Sequence, residues 1–240
     1  SGIRRSGAFL SAPFSLRSLA AHAQQKKPMK SLPKGVKALI AVVSGKGGVG
    51  KSTTTVNLAA ASAHLGLRVG ILDADIYGPS IPTMLGLRGM KPESISSTRS
   101  SSSPSTSAAS LLIPLEAKHD GGLRIKCMSM GFLIKEDAAA VWRGPMLMKA
   151  LSQLLTGTAW NTRNASSDAK GNGEEEDLDV LYVDMPPGTG DVQITLSQQA
   201  AITGAVIVST PQDVALRDVK RAVTMLHQVR VPIVGVVENM

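Results

Sequence analysis

A glycine-rich stretch between residues 45 and 52 has the residue types and spacing that bind phosphate. It reads Gly45-Lys-Gly-Gly-Val-Gly-Lys-Ser52 and fits the pattern G-x-x-x-x-G-K-[ST], with an extra lysine after the first glycine. Glycines let backbone N–H groups converge on one phosphate, and a helix starting at the loop adds its positive end. Lys51 can reach the β and γ oxygens, and the Ser52 hydroxyl can bind Mg²⁺. The stretch predicts nucleotide binding; the alternative is a glycine-rich turn with incidental lysines.

Carboxylates end two other predicted strands. Asp73 ends the apolar run at 68–73 and Asp75 lies two residues later, where one could hold Mg²⁺ through water and the other could orient or deprotonate an attacking water. The alternative is that one of them only caps the following turn. Asp184 ends a second apolar run, which is the arrangement that holds Mg²⁺ opposite a phosphate loop.

The segment after Asp184 is typical of a switch. It reads Met185-Pro-Pro-Gly-Thr-Gly-Asp191, so two prolines fix the exit path of the chain. Gly188 and Gly190 leave room for hinge motion and for backbone contact with a γ-phosphate. The pattern predicts a segment that senses whether the γ-phosphate is present.

The elements that must position these residues alternate along the chain. Apolar runs predict strands at 38–43, 68–73, 123–129, 178–183, 204–209 and 232–237. Amphipathic stretches predict helices at 51–64, 145–156, 191–200 and 213–228. This order predicts an α/β fold with a doubly wound, mostly parallel sheet of the P-loop NTPase type, which binds ligands at the carboxyl ends of its strands.

The positive charge of the chain is confined to its beginning. The formal net charge is +8, but eight of the cations precede residue 41, and the remainder of the chain has 18 basic and 18 acidic residues. We therefore expect no nucleic-acid partner. The Arg- and Ser-rich, acid-poor residues 1–35 predict a mitochondrial transit peptide processed between Leu19 and Lys34, with a disordered basic tail as the alternative.

Residues 36–240 are predicted to form one domain with two disordered insertions. Residues 93–110 are rich in serine, and residues 161–179 combine small polar residues with an acidic run. The one cysteine, Cys127, lies in a predicted strand and is expected to be a small buried core residue. A single cysteine excludes an intrachain disulfide and a multi-cysteine metal site in one copy.

Five motifs together resemble one family, the Mrp/NBP-type ATPases, which are iron–sulfur cluster carriers related to MinD, ParA and the nitrogenase iron protein. The motifs are Ser44-Gly-Lys-Gly-Gly-Val-Gly-Lys-Ser-Thr53, Asp73-Ala-Asp-Ile-Tyr-Gly-Pro-Ser80, Trp142-Arg-Gly-Pro-Met146, Asp184-Met-Pro-Pro-Gly-Thr-Gly-Asp191 and Ser209-Thr-Pro-Gln-Asp213. The resemblance covers most of residues 36–240. Together with the transit-like beginning, it is nearest to the mitochondrial, NUBPL-like branch.

The resemblance implies a role for each matching position. It implies catalytic roles for Lys46, Lys51 and Asp75, with Lys46 reaching across a dimer interface to the partner's nucleotide and Asp75 activating water. It implies Mg²⁺ binding by Ser52, Asp73 and Asp184, and an adenine contact by Asn239. The implied nucleotide contacts are Gly45, Lys46, Gly47, Gly48, Val49, Gly50, Lys51, Ser52, Thr53 and Asn239.

The resemblance also implies the activity. It predicts a homodimeric ATPase of the mitochondrial matrix that binds ATP and Mg²⁺, hydrolyses ATP weakly, and carries [4Fe–4S] clusters to recipient apoproteins such as respiratory complex I subunits. Membrane contact would be peripheral at most. Family members continue past the Glu-Asn-Met segment into a C-x-x-C motif that binds the cluster. This sequence stops at Met240 without it, so no iron–sulfur ligands are present. We interpret the chain as C-terminally truncated, and the alternative is a protein that has lost cluster binding.

Two other functions share the same loop. A MinD/ParA-like positioning ATPase would act on a membrane or DNA, but it requires an amphipathic C-terminal helix or a basic surface. A metabolic phosphotransferase could use Trp142-Arg-Gly-Pro-Met146 as a substrate segment, although paired carboxylates and a switch fit hydrolysis better.

Overall fold

A computed structural model describes residues 30–76, 78–96, 110–119, 122–133, 144–161 and 176–240. These ranges contain nine strands, five α-helices and a short 3₁₀ turn at Met130–Phe132. The strands are β1 Leu39–Ser44, β2 Val69–Asp73, β3 Ser94–Ser96, β4 Ser110–Leu112, β5 Leu115–His119, β6 Leu123–Ser129, β7 Val180–Asp184, β8 Gly204–Ser209 and β9 Ile233–Glu238. The helices are α1 Lys51–His64, α2 Ile81–Met84, α3 Gly144–Thr156, α4 Asp191–Gln199 and α5 Asp213–Gln228.

Seven of the strands form one sheet in the order β5-β6-β2-β7-β1-β8-β9. Every neighbouring pair is parallel except β5 and β6, which are antiparallel. All residues of β2, β7 and β8 are buried, as continuous apolar strands in a sheet covered on both faces must be. The predicted doubly wound, mostly parallel α/β fold is confirmed.

Helices cover the sheet and hold the loops at its carboxyl edge. Helix α1 packs against β1, β2, β6 and β7, while α5 packs against β8 and β1. Helix α3 packs against α4. None of the helices in the described ranges combines the length and apolar character that crossing a membrane requires.

The six predicted strands and four predicted helices are all present, with ends within two residues of the expected positions. The structure adds elements that the periodicity does not reveal. Strand β5 pairs antiparallel with β6 at the edge of the sheet, where Ala117 is buried between the more exposed Glu116 and Lys118. Five residues with only one apolar face give a weak strand signal.

The structure orders the ends of both predicted insertions. Ser94–Ser96 and Ser110–Leu112 form a small antiparallel sheet, so residues 93–110 are not wholly without structure. The end of the second segment is also ordered, because Leu178 is buried and Asp179 pairs with Arg68. Residues 97–109 and 162–175 lie outside the described residues, and their disorder stays a prediction.

The folded part begins earlier than residue 36. Ser31 forms a β-bridge with Ala200, and Pro33 is buried. The Lys30 ammonium donates to the carbonyl of Val229 at 2.9 Å. Residues 30–35 therefore pack on the domain, which corrects the predicted boundary. Residues 1–29 lie outside the described residues, and the transit peptide stays a prediction.

Candidate nucleotide-binding site

The carboxyl ends of four parallel strands bring the predicted site residues together. Asp73 at the end of β2 is the register partner of Asp184 at the end of β7 and of Ser129 at the end of β6. Strand β1 lies beside β7 and continues past Ser44 into the glycine-rich loop. In-register parallel pairing therefore places the loop, the two aspartates and Ser129 along one edge.

The glycine-rich loop has the backbone conformation that its sequence predicts. Gly48 and Gly50 have φ values of 78° and 85°, in the left-handed region that glycine adopts without a steric penalty. A β-carbon at Gly47 or Gly48 would meet no atom within 4 Å. The loop thus borders open space, as a phosphate cradle requires. Helix α1 begins directly behind it, without an acidic residue in its first turn.

Two other glycines of the loop are needed for close packing rather than for an open cradle. A β-carbon at Gly45 would collide with the backbone and β-carbon of Asp218 in α5. A β-carbon at Gly50 would collide with the side-chain amide of Asn239. The loop is therefore held from behind by α5 and by the segment that follows β9.

Lys51 lies at the centre of the site and is bonded to carboxylates. Its ammonium is 2.8 Å from Oδ2 of Asp184 and 3.5 Å from Oδ2 of Asp75. The side chain is only 6% exposed, so these carboxylates replace the hydration that burial removes. A phosphate entering the cradle can take over part of this role.

Asp184 is fully buried, and both of its oxygens accept hydrogen bonds from α1. The Ser52 hydroxyl donates to Oδ2 at 2.6 Å, and the Thr55 hydroxyl donates to Oδ1 at 2.8 Å. Thr55 lies one helical turn after Lys51, so both side chains reach the same carboxylate. Asp184 thereby joins the loop and the first turn of α1 to the end of β7.

Asp73 lies beside Asp184 but contacts the chain that follows its own strand. Its Oδ1 accepts from the backbone N–H of Asp75, and its Oδ2 accepts from the N–H of Ile81 and the hydroxyl of Ser129. These contacts match the alternative in which one aspartate of the pair caps the turn after its strand. Burial, with the nearby charge of Asp184, raises the pKa of Asp73 to about 8, although the hydrogen bonds from Ser129 and Asp75 act in the opposite direction.

Asp75 differs from Asp73 because one of its oxygens has no partner. It is largely buried, its Oδ2 faces the Lys51 ammonium, and its Oδ1 forms no hydrogen bond within the described part of the chain. A buried carboxylate oxygen without a donor can accept a proton or a hydrogen bond from a bound water or ligand. Of the predicted pair, Asp75 is therefore the one with a buried oxygen left to accept, and its role as a general base stays a prediction.

The remaining loop residues occupy different surroundings. Val49 is buried and holds the loop in the core, whereas Thr53 is exposed on the first turn of α1. Lys46 is half-buried, and its ammonium forms no ion pair with any residue that the structure describes. Its backbone carbonyl accepts from the Ser44 hydroxyl at 2.9 Å, which fixes the chain at the loop entrance while the side chain remains available.

Asn239 supports the loop directly. Its side-chain amide donates to the carbonyl of Val49 at 2.9 Å, and its backbone N–H donates to the carbonyl of Ser209 at 2.8 Å. The resemblance implies an adenine contact for this residue, and its proximity to the loop is compatible with one. The adenine contact itself stays a prediction.

The predicted switch is attached to the loop strand and to α4. The N–H groups of Met185 and Gly188 donate to the carbonyls of Val42 and Ser44 in β1, and Gly188 has a φ of 91°. The buried side chain of Gln193 donates to the Pro186 carbonyl. The switch and the start of α4 are therefore joined by a side chain as well as by the backbone.

Thr55, Ser129 and Gln193 contribute to the site without having been predicted from the sequence. Thr55 could have been found from its spacing, because it lies four residues after Lys51 on the same helix face. Ser129 ends a predicted strand, but only the sheet order reveals that its strand neighbours β2. Gln193 carries no signal that distinguishes it from an exposed helix residue.

The donor set fits Mg²⁺ bound together with a nucleotide. Ser52 and Asp184 supply oxygens next to the cradle, and Mg²⁺ in phosphate sites is held by one or two protein oxygens, phosphates and water. Three or more His, Cys, Asp or Glu side chains grouped as a metal site are not found among the described residues. This small number of protein oxygens suits a cation that binds together with the nucleotide.

The residues present do not form an iron–sulfur site. Cys127 is the one cysteine of the sequence; it is fully buried in β6, as predicted, and burial raises the pKa of its thiol well above the ordinary value. Trp142 and Arg143 lie outside the described residues, so the substrate-segment interpretation of their motif stays untested.

The chain is similar to known proteins over most of its length. A family model described as ParA, NUBPL iron-transfer P-loop NTPase, matches residues 35–240. An iron–sulfur cluster carrier protein of Aquifex aeolicus is 50% identical over 212 residues, covering 88% of this chain and 49% of that protein. An iron–sulfur protein of Arabidopsis thaliana, required for NADH dehydrogenase and described as mitochondrial, is 49% identical over 86% of this chain and 56% of its own length.

A solved structure is also similar to this chain in its fold. The nucleotide-binding protein of Archaeoglobus fulgidus, determined in complex with ADP, is 37% identical and superposes with a TM-score of 0.63 over 85% of this chain and 67% of its own. The chain spans about half the length of the curated relatives that it matches. With the family model matched from residue 35 to residue 240, the chain belongs to the ParA family of NUBPL iron-transfer P-loop NTPases.

Proposed function

We propose that this chain is the nucleotide-binding part of an ATP-dependent iron–sulfur cluster carrier. The observation that carries the nucleotide half is the position of Lys51, whose ammonium lies between Asp184 and Asp75 behind an open glycine cradle. The cargo is inferred from relatives that are iron–sulfur cluster carriers.

The chain's residues divide the work of ATP hydrolysis between them. The loop N–H groups and Lys51 hold the β- and γ-phosphates and neutralise charge that develops between them. Asp75 accepts a proton from, or orients, the attacking water through its unpartnered Oδ1. Ser129 and Asp73 fix the backbone of Asp75, so the carboxylate is positioned before ATP binds.

Ser52 and Asp184 would hold the Mg²⁺ that accompanies ATP, and Thr55 keeps Asp184 oriented. The cation would supply additional charge neutralisation at the phosphates. In this arrangement Asp73 does not bind Mg²⁺ directly, because its oxygens already accept hydrogen bonds from Ser129 and from the chain after β2.

The proposed enzyme works as a homodimer. Lys46 supports this part, because it lies at the cradle with its ammonium unpaired among the described residues and is available to a nucleotide bound by a second copy. Hydrolysis would then be weak in a monomer and stronger in a dimer. The same interface would bring the cluster-binding regions of two subunits together.

We further propose that the full-length protein delivers [4Fe–4S] clusters to respiratory complex I subunits in the mitochondrial matrix. The Arabidopsis relative, which is required for NADH dehydrogenase, and the Arg- and Ser-rich beginning of this sequence support that assignment. The one cysteine of this chain is buried in β6, so we do not propose Cys127 as a cluster ligand.

The test is anaerobic reconstitution of the full-length gene product with iron and sulfide. We expect cluster absorption that follows dimer formation, and transfer to a complex I apoprotein that depends on ATP. Dimers that bind ATP but stay colourless would contradict the cargo assignment and leave the ATPase intact. ATP-dependent sedimentation with vesicles or DNA would instead favour a positioning ATPase.

A further inference from the structure

A groove between α4 and α5 opens beside the switch. It encloses about 320 Å³ and is lined by Thr189, Ile194, Lys220, Arg221, Thr224, Met225 and Gln228. Thr189 belongs to the switch, Ile194 to α4, and the other five residues to α5. The nucleotide contacts proposed above use none of these side chains.

The charged residues that line the groove are all cations. Lys220 and Arg221 are exposed on its rim, and the residues that line it include no carboxylate. Arg221 also pairs with Asp218 at 3.2 Å, whereas Lys220 has no ion pair with a described residue. Beyond residue 40 the chain is neutral overall, so this local excess of cations is a property of the groove and not of the whole domain.

The chemistry of the lining favours a polypeptide as the occupant. Ile194 is half-buried and Met225 is 4% exposed, so the two offer a small apolar contact to an anchoring side chain. Thr189 and Gln228 can hydrogen-bond to a backbone, and the Thr224 oxygen can accept while its hydroxyl donates to the Lys220 carbonyl at 2.9 Å. The two cations are exposed and not enclosed, which suits carboxylates on an extended partner better than a small buried anion.

The groove is also mechanically connected to the nucleotide site on both walls. On one side, the Gln193 side chain holds the switch through the Pro186 carbonyl, next to Ile194. On the other side, Asp218 of α5 packs directly behind Gly45 of the phosphate loop. These two contacts connect the groove to the switch and to the phosphate loop, so we expect its shape to follow the nucleotide state.

We propose that the groove between α4 and α5 docks an acidic segment of a partner protein that carries an apolar anchor, with an affinity set by the bound nucleotide. Docking itself requires only the groove, whereas its nucleotide dependence rests on the proposed function. Binding at this surface gives a partner a direct way to detect or to favour one nucleotide state.

The probe is a short fluorescent peptide in which glutamate and leucine alternate, measured by anisotropy against the 240-residue chain. We expect saturable binding that weakens with salt, and about tenfold weaker binding when Lys220→Glu and Arg221→Glu are combined. The neutral pair Lys220→Gln and Arg221→Gln should give an intermediate loss. The control combines Lys91→Glu with Lys149→Glu, which changes the net charge equally on exposed residues outside α4 and α5 and should leave the affinity unchanged.

Unaltered thermal unfolding and ATP binding of the variants confirm that only the surface has changed. A second titration compares ADP with a slowly hydrolysed ATP analogue, and we expect the two peptide affinities to differ. Equal binding by the charge-reversed variant, or equal binding of a lysine–leucine peptide, would overturn the docking site. A shift in self-association upon charge reversal would assign the groove to a second copy and overturn it as well. Equal peptide affinities with ADP and with the ATP analogue, in a protein shown to bind both nucleotides, would refute the nucleotide dependence but not the docking site.

Discussion

At the scale of single residues, the site depends on which carboxylate oxygens are already bonded. Asp73 and Asp75 are two residues apart and look equivalent in the sequence. The structure separates them, because Asp73 is bonded to Ser129 and to two backbone N–H groups, whereas Asp75 keeps a free oxygen. Two of these contacts are the turn cap that the sequence allowed for one of the pair, but only the neighbouring strand that carries Ser129 shows which aspartate it is. The phosphate loop was predictable because all its chemistry is contiguous.

Replacing Thr55 by valine tests how Asp184 is held. The change preserves shape but removes the hydroxyl that donates to Oδ1 of a fully buried carboxylate. We expect the free energy of unfolding to fall by about 2 kcal/mol, the range for a lost hydrogen bond to a charged group, and Mg²⁺-dependent ATP binding to weaken. Urea unfolding and Mg²⁺ titrations measure the two effects.

The matched control is Thr54→Val. The Thr54 hydroxyl bonds only to the carbonyl of Gly50, the residue that precedes the helix. Equal losses of Mg²⁺-dependent binding in both variants would show that the effect comes from the helix and not from Asp184.

At the scale of elements, the strands that are buried on both faces were predictable from the sequence. Continuous apolar runs gave β2, β7 and β8 nearly to the residue, since every position in them is buried. The antiparallel edge strand β5 escaped prediction because only one of its faces contacts the core. The sheet order could not be predicted either, since it depends on contacts far apart in the chain.

The start of β7 is attached to the start of β2 by an ion-pair cluster that makes stability depend on pH. Arg68 pairs with Asp179 at 3.1 Å, and Lys37 pairs with the same carboxylate at 2.8 Å. The hydrogen bond from Arg68, with that from Lys37, holds the pKa of Asp179 far below its ordinary value. A lowered folded-state pKa stabilises the protein above the unfolded value of about 4, and this contribution is lost as the pH falls below it.

We expect Asp179→Asn to lower stability at neutral pH and to flatten its decline in acid. Chemical unfolding at a series of pH values down to 3 measures the slope directly. Asp177→Asn, an exposed position nearby, should leave the slope as in the parent. If the parent and Asp179→Asn lose stability in parallel below pH 4, the cluster does not control the acid response.

At the scale of the whole molecule, the account predicts that one chain does not form a complete ATPase. Lys46 lies at the cradle without an ion pair to the described residues, which suits a contact with the nucleotide of a second copy. We expect the ATPase rate per chain to rise with protein concentration, and Lys46→Gln to remove this rise. Turnover measured over a dilution series, together with sedimentation velocity, tests both parts.

Lys91→Gln, at an exposed lysine after α2, is the control and should keep the concentration dependence. If Lys46→Gln hydrolyses ATP like the parent at all concentrations, the role across the dimer is wrong. The family likeness could suggest this role but could not test it, because a contact between two copies cannot be observed in a single chain.

The central claim is that the Lys51–Asp75–Asp184 cluster is a site of ATP hydrolysis in which Asp75 acts on the attacking water. Single-turnover hydrolysis by Asp75→Asn, measured beside equilibrium ATP binding, tests it most directly. We predict a rate lowered by about 10²- to 10⁴-fold, the usual contribution of a general base, with ATP affinity kept or increased because a negative charge near the phosphates is removed. A variant that binds ATP and hydrolyses it at the parent rate would contradict the claim.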